Sequence, residues 1–288
     1  MNSAFATSVL SGVVACVLIW AGPLFADPAT SADAPRCATP IVLSAIAAPL
    51  DRTASRIQSG KPLTIMAMGS SSTLGTGASA PSMSYPSRLD RELKERFPEV
   101  EIKVINRGIA GQDVPEELAR LDRDVAVEHP DLVIWQVGTN AVLRRDDISA
   151  DEQLIGRGVA LLRERSIDLV LMDLQYAPRV LARPAAADME RAIAQIAHQT
   201  HIGIFRRFEI MQEWDRTGQF RPEAMIDPDG LHMTDQSYGC LAQQLADALT
   251  RNWRSRTKLV KSPERNPEAV AGIENRSGTQ PGFSAKDR

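Results

Sequence analysis

Four short segments hold the side chains best suited to covalent chemistry. They are Gly69-Ser70-Ser71-Ser72-Thr73-Leu74-Gly75, Asn106-Arg107-Gly108-Ile109-Ala110-Gly111, Gly138-Thr139-Asn140 and Asp227-Pro228-Asp229-Gly230-Leu231-His232. A neutral serine hydroxyl is a weak nucleophile, so a base must take its proton as it attacks. Histidine is the side chain whose ordinary pKa suits that task near neutrality. The chain has histidines at 129, 198, 201 and 232. Asp229 precedes His232 by three residues, so one tight turn brings a carboxylate to the imidazole. There it fixes the tautomer and stabilises imidazolium. A capping or packing role is the plainer alternative for His232.

The elements that must position these segments alternate in type. Apolar runs occur at 63–68, 101–106, 132–137 and 169–174, with a weaker fifth at 202–205. Strands this apolar belong in a parallel sheet covered on both faces. Between them, amphipathic stretches at 85–97, 114–127, 152–165 and 185–199 read as helices, and a last one spans 236–253. The order implies an α/β fold: a three-layer α/β/α sandwich around a five-stranded parallel sheet, flavodoxin-like. Ligands of such sheets bind beyond the carboxyl ends of the strands, here residues 69–77, 106–113, 138–146 and 175–183. Three of the four segments fall there. His129, His198 and His201 fall at the opposite edge, ahead of strands. The three-residue spacing of His198 and His201 suits a metal, but no carboxylate or cysteine accompanies them, and a surface role is the simpler reading. Residues 27–60 read as a leading helical segment packed on the domain.

The first segment does not fit other nucleotide-binding or nucleophile motifs. A P-loop requires Gly-Lys-Ser or Gly-Lys-Thr after its glycine-rich turn, and no lysine is present. Gly75-Thr76-Gly77-Ala78-Ser79-Ala80 has loose dinucleotide spacing but starts too far from the strand. The Gly-x-Ser-x-Gly elbow fails because Thr73 stands where the second glycine belongs. A serine-rich turn with no chemistry remains the bland reading of this loop taken alone.

Taken together and in this order, the four segments resemble the SGNH/GDSL hydrolase family, over about residues 61–250. Gly69-Ser70-Ser71-Ser72 is similar to its Gly-Asp-Ser-Leu block, which implies Ser71 as nucleophile. Asn106 to Gly111 is similar to the second block, Gly138-Thr139-Asn140 to the third, and Asp229-Gly230-Leu231-His232 to the Asp-x-x-His block. The resemblance implies a catalytic set of Ser71, Asp229 and His232. It also implies an oxyanion hole from the Ser71 and Gly111 backbone N–H groups and the Asn140 amide. Plain turn and cap roles stand as alternatives for Gly111 and Asn140. Ser70 replaces the usual Asp, and Ala141 replaces the Asp that often follows the third-block Asn. The activity implied is a serine esterase working through an acyl-enzyme on Ser71, with no metal or cofactor. Acyl transfer to a glycan hydroxyl and a non-catalytic glycan-binding domain of the same fold are the rivals.

Composition bounds the remaining choices. Apolar residues make up 43% and charged residues 24% of the 288, with a net charge of −3, as in ordinary globular proteins. That balance lacks the basic excess of a nucleic-acid binder. Residues 1–26 carry no charged side chain, and the apolar run 9–20 is broken by Gly22-Pro23. It reads as an export signal ending at Ala26, with an uncleaved anchor as the alternative and a faint lipid-attachment pattern at Cys16. Cleavage leaves Cys37 and Cys240, an even count that fits a disulfide in an oxidising compartment, against two separate buried thiols. Residues 253–288 hold eight Lys or Arg and four Asp or Glu and read as a disordered tail. The hydrolase domain is then 61–252, and the chain is expected to be periplasmic or secreted, with no membrane span after cleavage. The expected substrate is a small ester or an acylated glycan. Short acyl groups are expected because the loops at the catalytic edge are polar, with apolar surface only at Tyr176-Ala177-Pro178.

Overall fold

Three of the five strands of the sheet end in glycine or glutamine, at Gly69, Gly108 and Gln136, at the edge where the site lies. A computed structural model describes Met1, residues 37–144 and residues 147–260. The expected signal beyond Met1, residues 27–36 and the chain after 260 lie outside the described residues. The strands are β1 (Leu63–Gly69), β2 (Ile102–Gly108), β3 (Leu132–Gln136), β4 (Asp168–Met172) and β5 (Gly203–Phe205). All pair in parallel in the order β2-β1-β3-β4-β5, the flavodoxin-like arrangement. β3 is buried along its whole length, as a strand covered on both faces must be.

The helices are α1 (Ile41–Ser44), α2 (Asp51–Gln58), α3 (Ser71–Leu74), α4 (Tyr85–Arg96), α5 (Val114–Glu128) and α6 (Thr139–Arg144). They continue with α7 (Ile148–Glu164), α8 (Pro178–Leu181), α9 (Ala186–Thr200), α10 (Arg207–Arg216), α11 (Pro222–Met225) and α12 (Asp235–Val260). The layers follow from who touches whom: α12 packs on α2 and α4, whereas α7 packs on α5 and α9. α5 starts where its sequence says it must. Asp113 caps it, and a reciprocal capping box with Glu116 precedes the apolar stripe of Leu121 and Val125. α10 does not appear in the sequence reading. α12 runs past the expected helix end at 253 to Val260, into the stretch read as a tail. Trp253 is buried there, and its Nε1 donates to Thr53 Oγ1 at 2.8 Å.

The described part of the leading segment, residues 37–60, is fastened at several points. Cys37 and Cys240 form a disulfide with a Cα–Cα distance of 5.0 Å. Further along, Asn252 of α12 donates to the Ile46 and Ala48 carbonyls at 2.9 and 2.8 Å. Two acids at the amino edge of the sheet, Asp131 buried and Asp168 half-buried, complete the attachment. Asp131 pairs with Arg52 and Arg56 at 2.9 and 2.7 Å. Asp168 accepts from the Thr53 backbone N–H and hydroxyl at 2.9 and 2.8 Å. No helix among the described residues is long and apolar enough to cross a membrane.

Candidate active site

β1 stops at Gly69, and α3 begins two residues later at Ser71. The turn is tight enough to require glycine: a Cβ on Gly69 would lie 2.4 Å from Thr73 Oγ1 and 2.8 Å from Gln136 Oε1. As the first residue of a helix, Ser71 has no intrahelical acceptor for its N–H. Its side chain is half-buried, whereas Ser70 and Ser72 on either side are buried.

His232 arrives from the far end of the chain. Ile226 and Met233 form an antiparallel bridge, and the Asp227 N–H donates to the His232 carbonyl at 2.8 Å. The loop between them reverses at Gly230. Asp229 Oδ1 accepts the backbone N–H groups of Leu231 and His232 at 2.8 and 2.9 Å. Its Oδ2 faces His232 Nδ1 in a hydrogen bond. The opposite ring nitrogen, Nε2, lies 2.8 Å from Ser71 Oγ. Two ties hold this loop against the first one: Tyr238 Oη donates to the Thr76 carbonyl at 2.8 Å, and Ser79 N–H donates to Asp235 at 2.9 Å. Burial pushes the Asp229 carboxyl up, but the hydrogen bonds from the His232 ring and from the His232 and Leu231 N–H groups outweigh it. Its pKa settles below the ordinary carboxylate value.

The second segment is tied to the first, and the residue that follows it is tied to the third. The Ile109 N–H donates to the Gly69 carbonyl at 3.0 Å. Asn140 lies in the first turn of α6, and its Nδ2 donates to the Gln112 carbonyl at 2.7 Å. An amide nitrogen has two protons, so this bond orients the group and leaves the second to offer. Gly111 is adjacent, at φ +78° with no atom within 4 Å of a notional Cβ. A left-handed residue with open space over it suits close approach by a ligand. Arg144 donates to the Gly111 carbonyl. That contact crosses between the loops from the helix in which Ala141 replaces the more usual Asp.

Three buried polar residues that the sequence reading passed over also belong here. Gln136, at the end of β3, faces the turn that carries Ser71: its Oε1 is within 3.0 to 3.2 Å of four donors there. Gln175 takes Thr139 Oγ1 on its oxygen at 3.3 Å and donates to the Leu231 carbonyl at 3.2 Å, so it bridges the Asn140 and His232 loops. Arg207, fully buried, donates to Ser72 Oγ at 3.0 Å and to the Asp173 carbonyl at 2.6 Å. Burial and the neighbouring Asp173 carboxylate push the Glu190 carboxyl up, so a retained proton and the Arg207 cation together balance the two acids. The available signal was a polar residue interrupting or ending an apolar strand, which burial tolerates only with partners.

The remaining histidines, 129, 198 and 201, are exposed at the other edge. Among the described residues no group of three or more His, Cys, Asp or Glu could hold a metal ion. Of the expected apolar surface at 176–178, Pro178 is exposed, Tyr176 half-buried and Ala177 buried, and these loops also expose Leu74, Ile109 and Leu181.

The chain is similar to known proteins in sequence and in fold. A sequence profile of the non-GDSL lipase-like family matches residues 36–255. An acetylxylan esterase of Geobacillus stearothermophilus is 36% identical over 80 residues, covering 28% of this chain and about a third (33%) of that enzyme. An arylesterase of Vibrio mimicus is 25% identical over 169 residues, covering 59% of this chain and 80% of that enzyme. A two-domain esterase (CEX) active on acetylated mannans superposes with a TM-score of 0.62 at 20% identity, over 73% of this chain and 56% of that one. TesA superposes with a TM-score of 0.56 at 22% identity, over 66% of this chain and 99% of that one. These structural likenesses carry the fold. With the profile spanning nearly all of the described residues, and with Ser70 and Ser72 departing from Gly-Asp-Ser-Leu, the chain belongs to the non-GDSL lipase-like family and has the SGNH/GDSL hydrolase fold.

Proposed function

We propose that the protein is a serine esterase that hydrolyses carboxylic esters through an acyl-enzyme on Ser71. The observation that carries this reading is the unbroken line from Ser71 Oγ to His232 Nε2 at 2.8 Å and from His232 Nδ1 to Asp229. His232 takes the Ser71 proton as Oγ attacks the ester carbonyl carbon. The tetrahedral oxyanion is met by the Ser71 and Gly111 N–H groups and the free proton of the Asn140 amide. Such preorganised donors act on charge that exists only in the transition state. The intermediate collapses, His232 passes its proton to the leaving alcohol, and the acyl group stays on Ser71. Water then attacks with His232 again as base, and the carboxylic acid leaves.

The substrate class we infer is short-chain esters, acetyl above all, carried on a glycan. The acetylxylan esterase and the mannan-active esterase among the relatives support it. The small number of exposed large apolar side chains on these loops, Leu74, Ile109 and Leu181 among the described residues, also supports it. We place the protein outside the cytoplasm, because a disulfide such as Cys37–Cys240 persists in oxidising compartments. The test is labelling with a fluorophosphonate probe and hydrolysis of p-nitrophenyl acetate. Wild type should label and turn over, and Ser71→Ala should do neither while keeping its circular dichroism spectrum. A Ser71→Ala protein with full activity would reject the assignment.

A further inference from the structure

The turn that carries Ser71 cannot hold its own shape. α3 has four residues, far below the length at which a helix sustains itself. Its closing hydrogen bonds are the Leu74 N–H to the Ser70 carbonyl and the Gly75 and Thr76 N–H groups to the Ser71 carbonyl, all at 2.9 Å. What fixes it must come from outside: Asn106 Nδ2 donates to the Thr73 carbonyl at 2.9 Å, and four further bonds converge on a single atom. Gln136 Oε1 accepts from Ser70 N–H at 3.1 Å, Ser70 Oγ at 3.1 Å, Ser72 Oγ at 3.0 Å and Thr73 Oγ1 at 3.2 Å. A backbone N–H can only donate, so the amide must turn its oxygen to Ser70. The residues immediately before and after Ser71 are thereby tied to β3, while Ser71 itself is left to His232.

Arg207 sets the direction of one of these bonds. Its Nη1 donates to Ser72 Oγ at 3.0 Å, which occupies that oxygen as an acceptor and sends the Ser72 proton to Gln136. Tyr85 lies behind Thr73, with its hydroxyl 3.3 Å from Oγ1. Ser70, Ser72, Thr73, Gln136 and Arg207 are each at most 3% exposed, so water cannot replace a lost partner.

We infer that Gln136 is a positioning residue for the nucleophile: its amide oxygen holds the turn on both sides of Ser71 and so aims Oγ between His232 and the oxyanion donors. This rests on the reading of Ser71 as nucleophile. Gln136 touches neither substrate nor His232, so its loss acts on reaction geometry and not on binding. A displacement of the nucleophile by 1 Å costs about 100-fold in rate.

The experiment compares Gln136→Met, which keeps the length and removes the acceptor, with Gln136→Glu, which keeps an acceptor oxygen. For each, the rate of fluorophosphonate labelling and kcat and KM on p-nitrophenyl acetate are measured beside the thermal midpoint. Gln136→Met should lower kcat and the labelling rate about 100-fold, with KM within about twofold, and Gln136→Glu should recover at least a tenth of wild-type kcat. If Gln136→Met does not fold, the double variant Ser70→Ala/Ser72→Ala removes two of the four bonds at little cost in volume, and its kcat should fall at least tenfold at unchanged KM. Near wild-type kcat in a folded Gln136→Met protein, or in the double variant where that protein is unfolded, overturns the inference. So does a loss that appears in KM, or one that Gln136→Glu does not relieve. These outcomes leave the esterase reading intact; a wild-type protein that neither labels nor turns over removes that reading, and this one with it.

Discussion

The Asp229→Asn exchange probes the most tightly determined bond in the site. Asp229 Oδ1 accepts two backbone N–H groups, from Leu231 and His232, at 2.8 and 2.9 Å. An asparagine keeps those bonds only by placing its carbonyl oxygen there. Its NH2 group is then forced against His232 Nδ1, which must become an acceptor. The ring proton moves to Nε2, the nitrogen 2.8 Å from Ser71 Oγ, and the base is blocked at the atom where it is needed. Holding the wrong tautomer in this way costs a serine triad about 10⁴ in kcat, about 5 kcal/mol of transition-state stabilisation. Stability should scarcely change, because both backbone bonds survive. Asp229→Ala should instead lower stability by about 1–3 kcal/mol for the two lost bonds. The assay is kcat and KM on p-nitrophenyl acetate, with the thermal midpoint as control. A kcat loss under tenfold in Asp229→Asn refutes the argument and moves the orienting role elsewhere. Asp227 would be the next residue to exchange, although its Oδ1 already accepts the Asp229 N–H at 3.2 Å.

Three further outcomes can be checked directly. Replacing Cys37 and Cys240 by Ala opens a loop closed across 203 residues, which should cost about 5 kcal/mol in the chain-entropy model. The thermal midpoint should then fall by about 10 °C or more, and a drop under about 2 °C in calorimetry would show that the other ties suffice. Burial pushes Glu117 up to about 8 despite its bond from Trp135 Nε1 at 2.8 Å. Between the ordinary carboxyl value and about 8 the folded chain keeps a proton that the unfolded chain has lost, so stability falls as pH rises. Urea unfolding of Glu117→Gln should remove up to about 1.4 kcal/mol per pH unit of that slope, and an unchanged slope rejects a neutral Glu117. Finally, kcat/KM on p-nitrophenyl esters should not rise beyond C4, because a buried methylene is worth about 0.8 kcal/mol only where a wall receives it. A steady rise to C8 would place the chain on Leu74 and Ile109.

Why some of this was legible in the chain and some not follows from range. The strands carry their signal locally: Leu-Val-Ile-Trp at 132–135 is apolar on both faces and can only be an interior strand. The Asp229–His232 pair is legible for the same reason, since three residues of spacing confine both groups to one turn. α10 escaped because its start bears no mark. Its N-cap, Arg206, makes no side-chain cap bond, although Ile210, Met211 and Trp214 are buried at helical spacing. The end of α12 escaped because Arg254 and Arg256 give that stretch the composition of a solvated tail, while the residue that decides the matter, Trp253, finds its partner Thr53 200 residues away.

Gln136 was the hardest to see and is the most instructive. As a letter at the end of an apolar run it has no local meaning, because its four partners lie on another strand's turn. Its role also accounts for the departure from Gly-Asp-Ser-Leu at the first block. The side chain at 70 points at Gln136 Oε1 and must donate to it. A carboxylate there would set acceptor against acceptor in a buried site, unless the amide turned over and lost the Ser70 N–H. Serine at 70 and glutamine at 136 are thus two halves of one hydrogen-bonding choice. Ser72, where the block usually has an apolar leucine, extends that choice to Arg207. Read one block at a time, Ser70 and Ser72 look like erosion of a motif. Read through the contacts of Gln136, they are a polar way of fastening the same turn.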